Sequence, residues 1–87
     1  MSGKFTYAEQ MRREMDDIVF SSNDAEEALL CLLILCQRKR LVKNLSISSG
    51  ISDSSIYNAI KEKGSPRLVT AKALFNTLGY DIKVVKR

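Results

Sequence analysis

The sequence predicts an all-α fold in a single domain, 1–87. This domain has five helices and a short C-terminal β-strand at residues 80–86. Apolar residues recur at helical spacing through most of the chain, and capping residues or glycines separate the periodic segments. The tail "YDIKVV" instead alternates apolar and polar residues, which is the period of a strand. A chain of 87 residues has room for one modest core and no second domain.

Composition disfavours several classes of protein. The chain has no histidine and only two cysteines, Cys31 and Cys36, which we expect to be free thiols in a reducing compartment. We therefore expect neither a metal site nor a cofactor. Without histidine there is no ready general base near neutral pH, so we expect no catalytic residues and no enzyme.

The chain shows no sequence signal for a membrane or for secretion. The apolar run from Ala28 to Cys36 spans nine residues, whereas crossing a bilayer takes about 20. The opening residues "MSGKFTYAEQ" do not form a signal peptide. We therefore expect a cytoplasmic protein with neither a membrane nor a small-molecule substrate as partner.

Charge is distributed unevenly along the sequence. Residues 1–36 hold three basic and seven acidic residues, a net charge of −4. Residues 37–87 hold eleven basic and three acidic residues, a net charge of +8. A basic half suits a polyanion such as nucleic acid, although a solvated basic face has the same composition.

Capping pairs predict the first two helices. Thr6 with Glu9, and Asn23 with Glu26, have the spacing of a capping box. The predicted helices run from about Tyr7 to Phe20, within an N-terminal extension 1–22, and from about Asp24 to Lys39. The middle of the second helix, "ALLCLLILC", is apolar on nearly all sides. It is either a central core helix or a helix shared with a second subunit.

Segment 42–61 has the spacing of two short helices joined by a tight turn, the helix-turn-helix arrangement. A helix from Val42 stops at Gly50, and Ser52 caps a second helix that runs from Asp53 to about Lys61. A fifth helix follows from about Arg67 to Leu78 and stops at Gly79. Because only Ile56, Ala59 and Ile60 supply apolar anchors in the second helix, its outer face is polar and short, as a helix in the DNA major groove requires.

The candidate DNA-binding residues follow from this arrangement. The candidates for base reading are Asp53, Ser54, Ser55 and Asn58. The candidates for phosphate binding are Lys43, Ser52, Tyr57, Lys61, Lys63, Ser65 and Arg67. Tyr57 lies at the flank of the second helix, and the others lie near the helix ends or in the loop that contains "GSPR". The alternative interpretation is a surface helical hairpin without a ligand.

Three motifs then suggest a family. They are Gly50-Ile51-Ser52…Ser55-Ile56-Tyr57, Gly64-Ser65-Pro66-Arg67 and Thr70…Leu74-Phe75…Leu78-Gly79. In this combination the stretch from Leu45 to Val84, about half of the chain, resembles the addiction-module antidote (antitoxin) proteins of the Cro/repressor-like helix-turn-helix superfamily. Asp53 stands where that family often has an arginine.

The resemblance implies a sequence-specific transcriptional regulator. Such a protein binds a pseudo-palindromic double-stranded DNA operator as a homodimer, represses its own operon and neutralises a small protein toxin. The alternatives are a phage-type repressor without a toxin partner and a protein-interaction module that has lost DNA binding.

Surplus apolar surface also predicts a homodimer, because the second helix and the unpaired strand offer more than one small core can cover. The expected interface residues are Leu32, Leu35, Tyr80, Ile82 and Val84.

Overall fold

The computed structural model describes residues 7–62 and 66–82, and these residues form five α-helices. The helices are α1 (Tyr7–Ser21), α2 (Ala25–Arg38), α3 (Val42–Ser49), α4 (Asp53–Lys61) and α5 (Leu68–Thr77). The predicted all-α class is confirmed for these residues, and the helix bounds differ from the predicted ones by at most a residue at each end. None of the helices in the described ranges is long and apolar enough to span a membrane.

The cap of α2 lies one residue later than the sequence suggested. Asp24, not Asn23, is the N-cap, and its Oδ1 accepts a hydrogen bond of 2.8 Å from the backbone N–H of Glu27. The Glu27 carboxylate reaches back to the backbone and side-chain nitrogens of Asn23, both at 3.3 Å. Asp24 therefore caps the helix through its side chain, whereas Glu27 binds the residue before the cap and does not complete a reciprocal capping box. Thr6, the predicted cap of α1, lies outside the described residues.

Helix α2 forms the centre of the core. It packs against α1, α3 and α4, and Leu29, Leu33 and Cys36 are at most 1% exposed. Of the two open interpretations, the single chain thus supports the central core helix. Leu32 is 0% exposed and Leu35 is 8% exposed. Neighbouring helices of the same chain therefore cover both side chains, which leaves almost none of either for the predicted dimer interface.

The predicted C-terminal strand is not found in the part of the tail that the structure describes. Gly79 has φ +97° and ends α5, and the chain then turns back onto α1. The Tyr80 hydroxyl donates a hydrogen bond to Asp16, and the Arg12 guanidinium lies 5.4 Å from the centre of the Tyr80 ring. Burial and the hydrogen bond to Asp16 raise the pKa of Tyr80. Ile82 packs against the core. Residues 80–82 are thus anchored by side chains to their own chain instead of pairing as a strand.

The tail contacts also bear on the predicted dimer. Tyr80 and Ile82 are half-buried within the single chain, which leaves little of either side chain for a second copy. Val84 and the other residues of 83–87 lie outside the described residues.

Candidate nucleic-acid interface

The turn between α3 and α4 is held by three hydrogen bonds. Gly50 has φ +76°, the left-handed conformation that glycine adopts without steric cost, and its N–H donates to the carbonyl of Ser46. The Ser46 hydroxyl donates to the carbonyl of Ile51 at 2.6 Å, and the Ile51 N–H donates to the Ser49 hydroxyl at 3.2 Å. Small polar side chains therefore fix the angle at which α4 leaves α3.

Two serines at the start of α4 bind each other. Ser52 is the N-cap, and its Oγ accepts a hydrogen bond of 3.2 Å from the backbone N–H of Ser55. The same hydroxyl donates to Ser55 Oγ at 2.9 Å. The hydroxyl of Ser52 is thus used within the helix cap, whereas that of Ser55 keeps its own proton for an outside acceptor.

Helix α4 is fixed to the core by few side chains. Ile56 is 0% exposed and Ala59 is 1% exposed, and Ile60 is half-buried. The opposite face is exposed to solvent over its whole length, and it carries Asp53, Ser54, Tyr57, Asn58 and Lys61. These side chains therefore point away from the core, as the sequence pattern predicted.

The start of α5 lies beside the end of α4 and forms a cleft with it, the recognition cleft. It is lined by Ser55, Asn58, Glu62, Pro66, Arg67 and Thr70. Two predicted base-reading residues, Ser55 and Asn58, thus share one cleft with Arg67, a predicted phosphate-binding residue. Lys63 and Ser65 lie outside the described residues.

Glu62, Pro66 and Thr70 line this cleft and were not among the site residues predicted from the sequence. Glu62 lies one helical turn beyond Asn58, and Thr70 lies one turn beyond Arg67. This spacing places Glu62 near Asn58 and Thr70 near Arg67. It points to one shared cleft only when the position of α5 beside α4 is known. A carboxylate at this point repels phosphate, so it restricts where a DNA backbone can pass.

The cations around α4 are available to a ligand. Lys43, Lys61 and Arg67 are exposed, and within the described ranges none of them takes part in an ion pair. Two ion pairs instead involve α1: Lys39 binds Glu14 at 3.4 Å, and Arg12 lies 3.9 Å from Asp16. Among the described residues around α4, Lys43, Lys61 and Arg67 thus carry exposed positive charge, and Asp53 and Glu62 are exposed acids on or next to the same helix.

The structure gives no metal-binding group among the residues that it describes, since no three His, Cys, Asp or Glu side chains converge there. Cys31 and Cys36 are free thiols, and burial raises the pKa of Cys36. A raised pKa keeps this thiol protonated and unreactive near neutral pH.

No family model matches the chain, and neither a curated protein nor a solved structure does.

Proposed function

We propose that this protein is a sequence-specific, DNA-binding transcriptional regulator in which α3 and α4 act as a helix-turn-helix of the Cro/repressor type. The observation that carries the proposal is the exposed face of α4, which presents short hydrogen-bonding side chains beside unpaired cations. Such a face contributes nothing to the core, since Ile56 and Ala59 suffice to anchor the helix.

The dimensions of α4 suit the major groove. An α-helix with its side chains is about 10–12 Å across, and the major groove is about 12 Å wide. Entering with its N-terminal end, the helix would bring Ser54 and Asn58 to the base edges. The amide of asparagine both donates and accepts, as the edge of adenine requires, and Asp53 can accept from the amino group of cytosine.

Phosphate contacts would come from the residues flanking that helix. Lys43, Lys61 and Arg67 supply the charge, and the Tyr57 hydroxyl can donate from a side chain that is 44% exposed. Ser52 is a weaker candidate than its position suggested, because its hydroxyl is already used in the cap of α4.

Within this class we favour an antitoxin that represses its own operon in the cytoplasm and neutralises a small toxin. This part of the proposal is supported by the motifs between Leu45 and Val84 and by no contact in the structure. A small basic ribonuclease encoded in the adjacent reading frame would support it, and the absence of any such neighbour would favour a phage-type regulator.

A protein-interaction module is the second candidate, and Asp53 is the observation in its favour. This carboxylate is exposed at the first residue of α4, where an approaching phosphate would meet a like charge. Retention on heparin separates the two candidates, since DNA binding weakens steeply with salt and protein contact need not.

The direct test is selection of binding sites from random double-stranded DNA, followed by fluorescence anisotropy on the selected site. Asn58→Ala should cost about 1–3 kcal/mol on that site and little on non-specific DNA. Asn44→Ala is the matched control. Asn44 is also an exposed asparagine, but it lies on α3, where it lines a groove with Met11 and Leu78 and does not line the recognition cleft. Equal losses on both DNAs for Asn58→Ala would refute base reading by this residue.

A further inference from the structure

The end of α2 has a backbone conformation that is unusual for the residue found there. The Leu41 N–H donates to the carbonyl of Cys36 at 2.8 Å. The Arg40 N–H donates to the carbonyl of Gln37 at 3.1 Å, and together these bonds form a Schellman motif. The motif needs a left-handed residue, usually glycine, and here that residue is Arg40, with φ +59°. Among the described residues, Arg40 is the one non-glycine residue with a positive φ.

The strain at Arg40 is not offset by any contact of its side chain within the described ranges. The side chain is exposed, and its guanidinium takes part in no ion pair or hydrogen bond with the described residues. Arg38 and Lys39 already place positive charge at the end of α2, so the helix dipole does not require a third cation in a strained position. Strained residues of this kind cluster at functional sites, which suggests that the guanidinium serves a ligand.

The charge around Arg40 suits a polyanion. Arg38 and Lys43, like Arg40, are exposed cations near the corner between α2 and α3, and neither forms an ion pair within the described ranges. Residues 28–52, which include this corner, contain no acidic residue. Lys39 differs from these three, because it binds Glu14 of α1 at 3.4 Å. The corner is thus a patch of positive charge that can attract phosphate.

The position of this corner relative to α4 follows from the helix-turn-helix. Helix α3 runs from the corner to the turn at Gly50, and its eight residues rise about 12 Å. When such a unit binds DNA, the second helix enters the major groove and the first helix crosses the backbone. The start of α3 would therefore lie over the phosphates that border the groove, with Arg40 and Lys43 beside them.

We infer that Arg40 binds a phosphate of the DNA backbone, so that the DNA-contacting surface extends from α4 to the corner between α2 and α3. The inference rests on the proposed DNA binding and adds to it a residue that the sequence pattern did not indicate. It predicts opposite effects in two measurements. Glycine at position 40 relieves the backbone strain and removes the charge, so stability should rise relative to alanine while DNA affinity falls relative to arginine.

The first experiment is thermal unfolding of the full chain, followed by circular dichroism. Arg40→Gly should melt about 4 °C higher than Arg40→Ala, because both lack the charge and only glycine adopts the left-handed conformation without steric cost. Arg40→Lys should melt as the wild type does, because it keeps both the charge and the Cβ. Equal melting of the glycine and alanine variants would overturn the inference, since Arg40 would then not be strained. Melting of Arg40→Ala far below the wild type would also overturn it, because the guanidinium would then stabilise its own chain.

The second experiment measures DNA affinity against salt concentration by fluorescence anisotropy, on the selected site and on non-specific DNA. Arg40→Gly and Arg40→Ala should weaken binding to both DNAs by about 3–10-fold and make the slope of log affinity against log salt shallower by about one unit, and Arg40→Lys should keep the wild-type slope. Lys39→Ala is the matched control, since this neighbouring cation is paired with Glu14, and it should leave the slope unchanged. An unchanged slope for Arg40→Gly, or an equal change for Lys39→Ala, would overturn the inference while DNA binding itself stood. A wild type that bound no DNA at any salt concentration would refute the proposed function, and this inference with it.

Discussion

Replacing Gly50 by alanine should destabilise the protein through the backbone alone. Gly50 has φ +76°, and a Cβ built on it would meet no atom within 4 Å. The cost is therefore that of holding an L-residue in the left-handed conformation, about 1–2 kcal/mol. For a domain of this size, such a loss lowers the melting temperature by about 4–16 °C. Thermal unfolding followed by circular dichroism measures this shift.

Two further variants make the Gly50 experiment decisive. Gly50→Asn should lose less stability than Gly50→Ala, because asparagine tolerates the left-handed conformation better than alanine does. Gly79→Ala should lose more, because its φ of +97° lies beyond the left-handed region that L-residues can occupy. The Arg12 guanidinium, which the added Cβ would approach to 2.8 Å, is the end of a flexible side chain and can move away. If Gly50→Ala melted at the wild-type temperature, the left-handed turn between α3 and α4 would not exist in solution.

Two other predictions concern charge and titration. Arg67→Ala should weaken binding to all DNA sequences and make the slope of log affinity against log salt shallower by about one unit, and an unchanged slope would show that Arg67 contacts no phosphate. Tyr80→Phe should cost about 0.5–1.5 kcal/mol near neutral pH, as measured by urea unfolding, because it removes the hydrogen bond to Asp16. Since folding raises the pKa of Tyr80 above its ordinary value of about 10, this stabilisation is complete below pH 10 and is lost as pH rises through the folded-state pKa. The difference between wild type and Tyr80→Phe should therefore shrink in alkali, and a constant difference would contradict the role of the hydroxyl.

Local signals in the sequence were sufficient to predict where the helices begin and end to within one residue. Gly50 and Ser52 bracket a short turn, and the structure begins α4 at Asp53 and ends it at Lys61, as predicted. These signals work because each depends on a few neighbouring residues: a left-handed glycine ends one helix and a hydroxyl cap begins the next. At α2 two possible caps, Asn23 and Asp24, were adjacent, and the pattern favoured the wrong one.

The sequence was less informative where distant parts of the chain meet. Leu32 and Leu35 are apolar whether their helix is covered by its own chain or by another, so periodicity could not reveal that neighbouring helices cover them. The alternation at Tyr80 and Ile82 resembles that of a strand, yet a strand needs a backbone edge to pair with, and side-chain contacts to α1 and the core take its place. The recognition cleft could not be predicted from the sequence either, because its lining depends on how α5 packs beside α4.

If α4 enters the major groove as we propose, the pair Ser52 and Ser55 at its start limits which residues can contact bases. Ser52 caps the helix and donates to Ser55, so replacing Ser52 would disturb the fold of the site as well as any contact with DNA. Asp53 and Ser54 lie next to this cap, and Asn58 follows Ser54 one helical turn later, all on the exposed face. A helix whose first turn is fixed by its own hydroxyls holds these side chains in register before any ligand arrives, which lowers the entropic cost of binding. Specificity should therefore depend mainly on Ser54 and Asn58, with Asp53 excluding any site that places a phosphate at the start of α4.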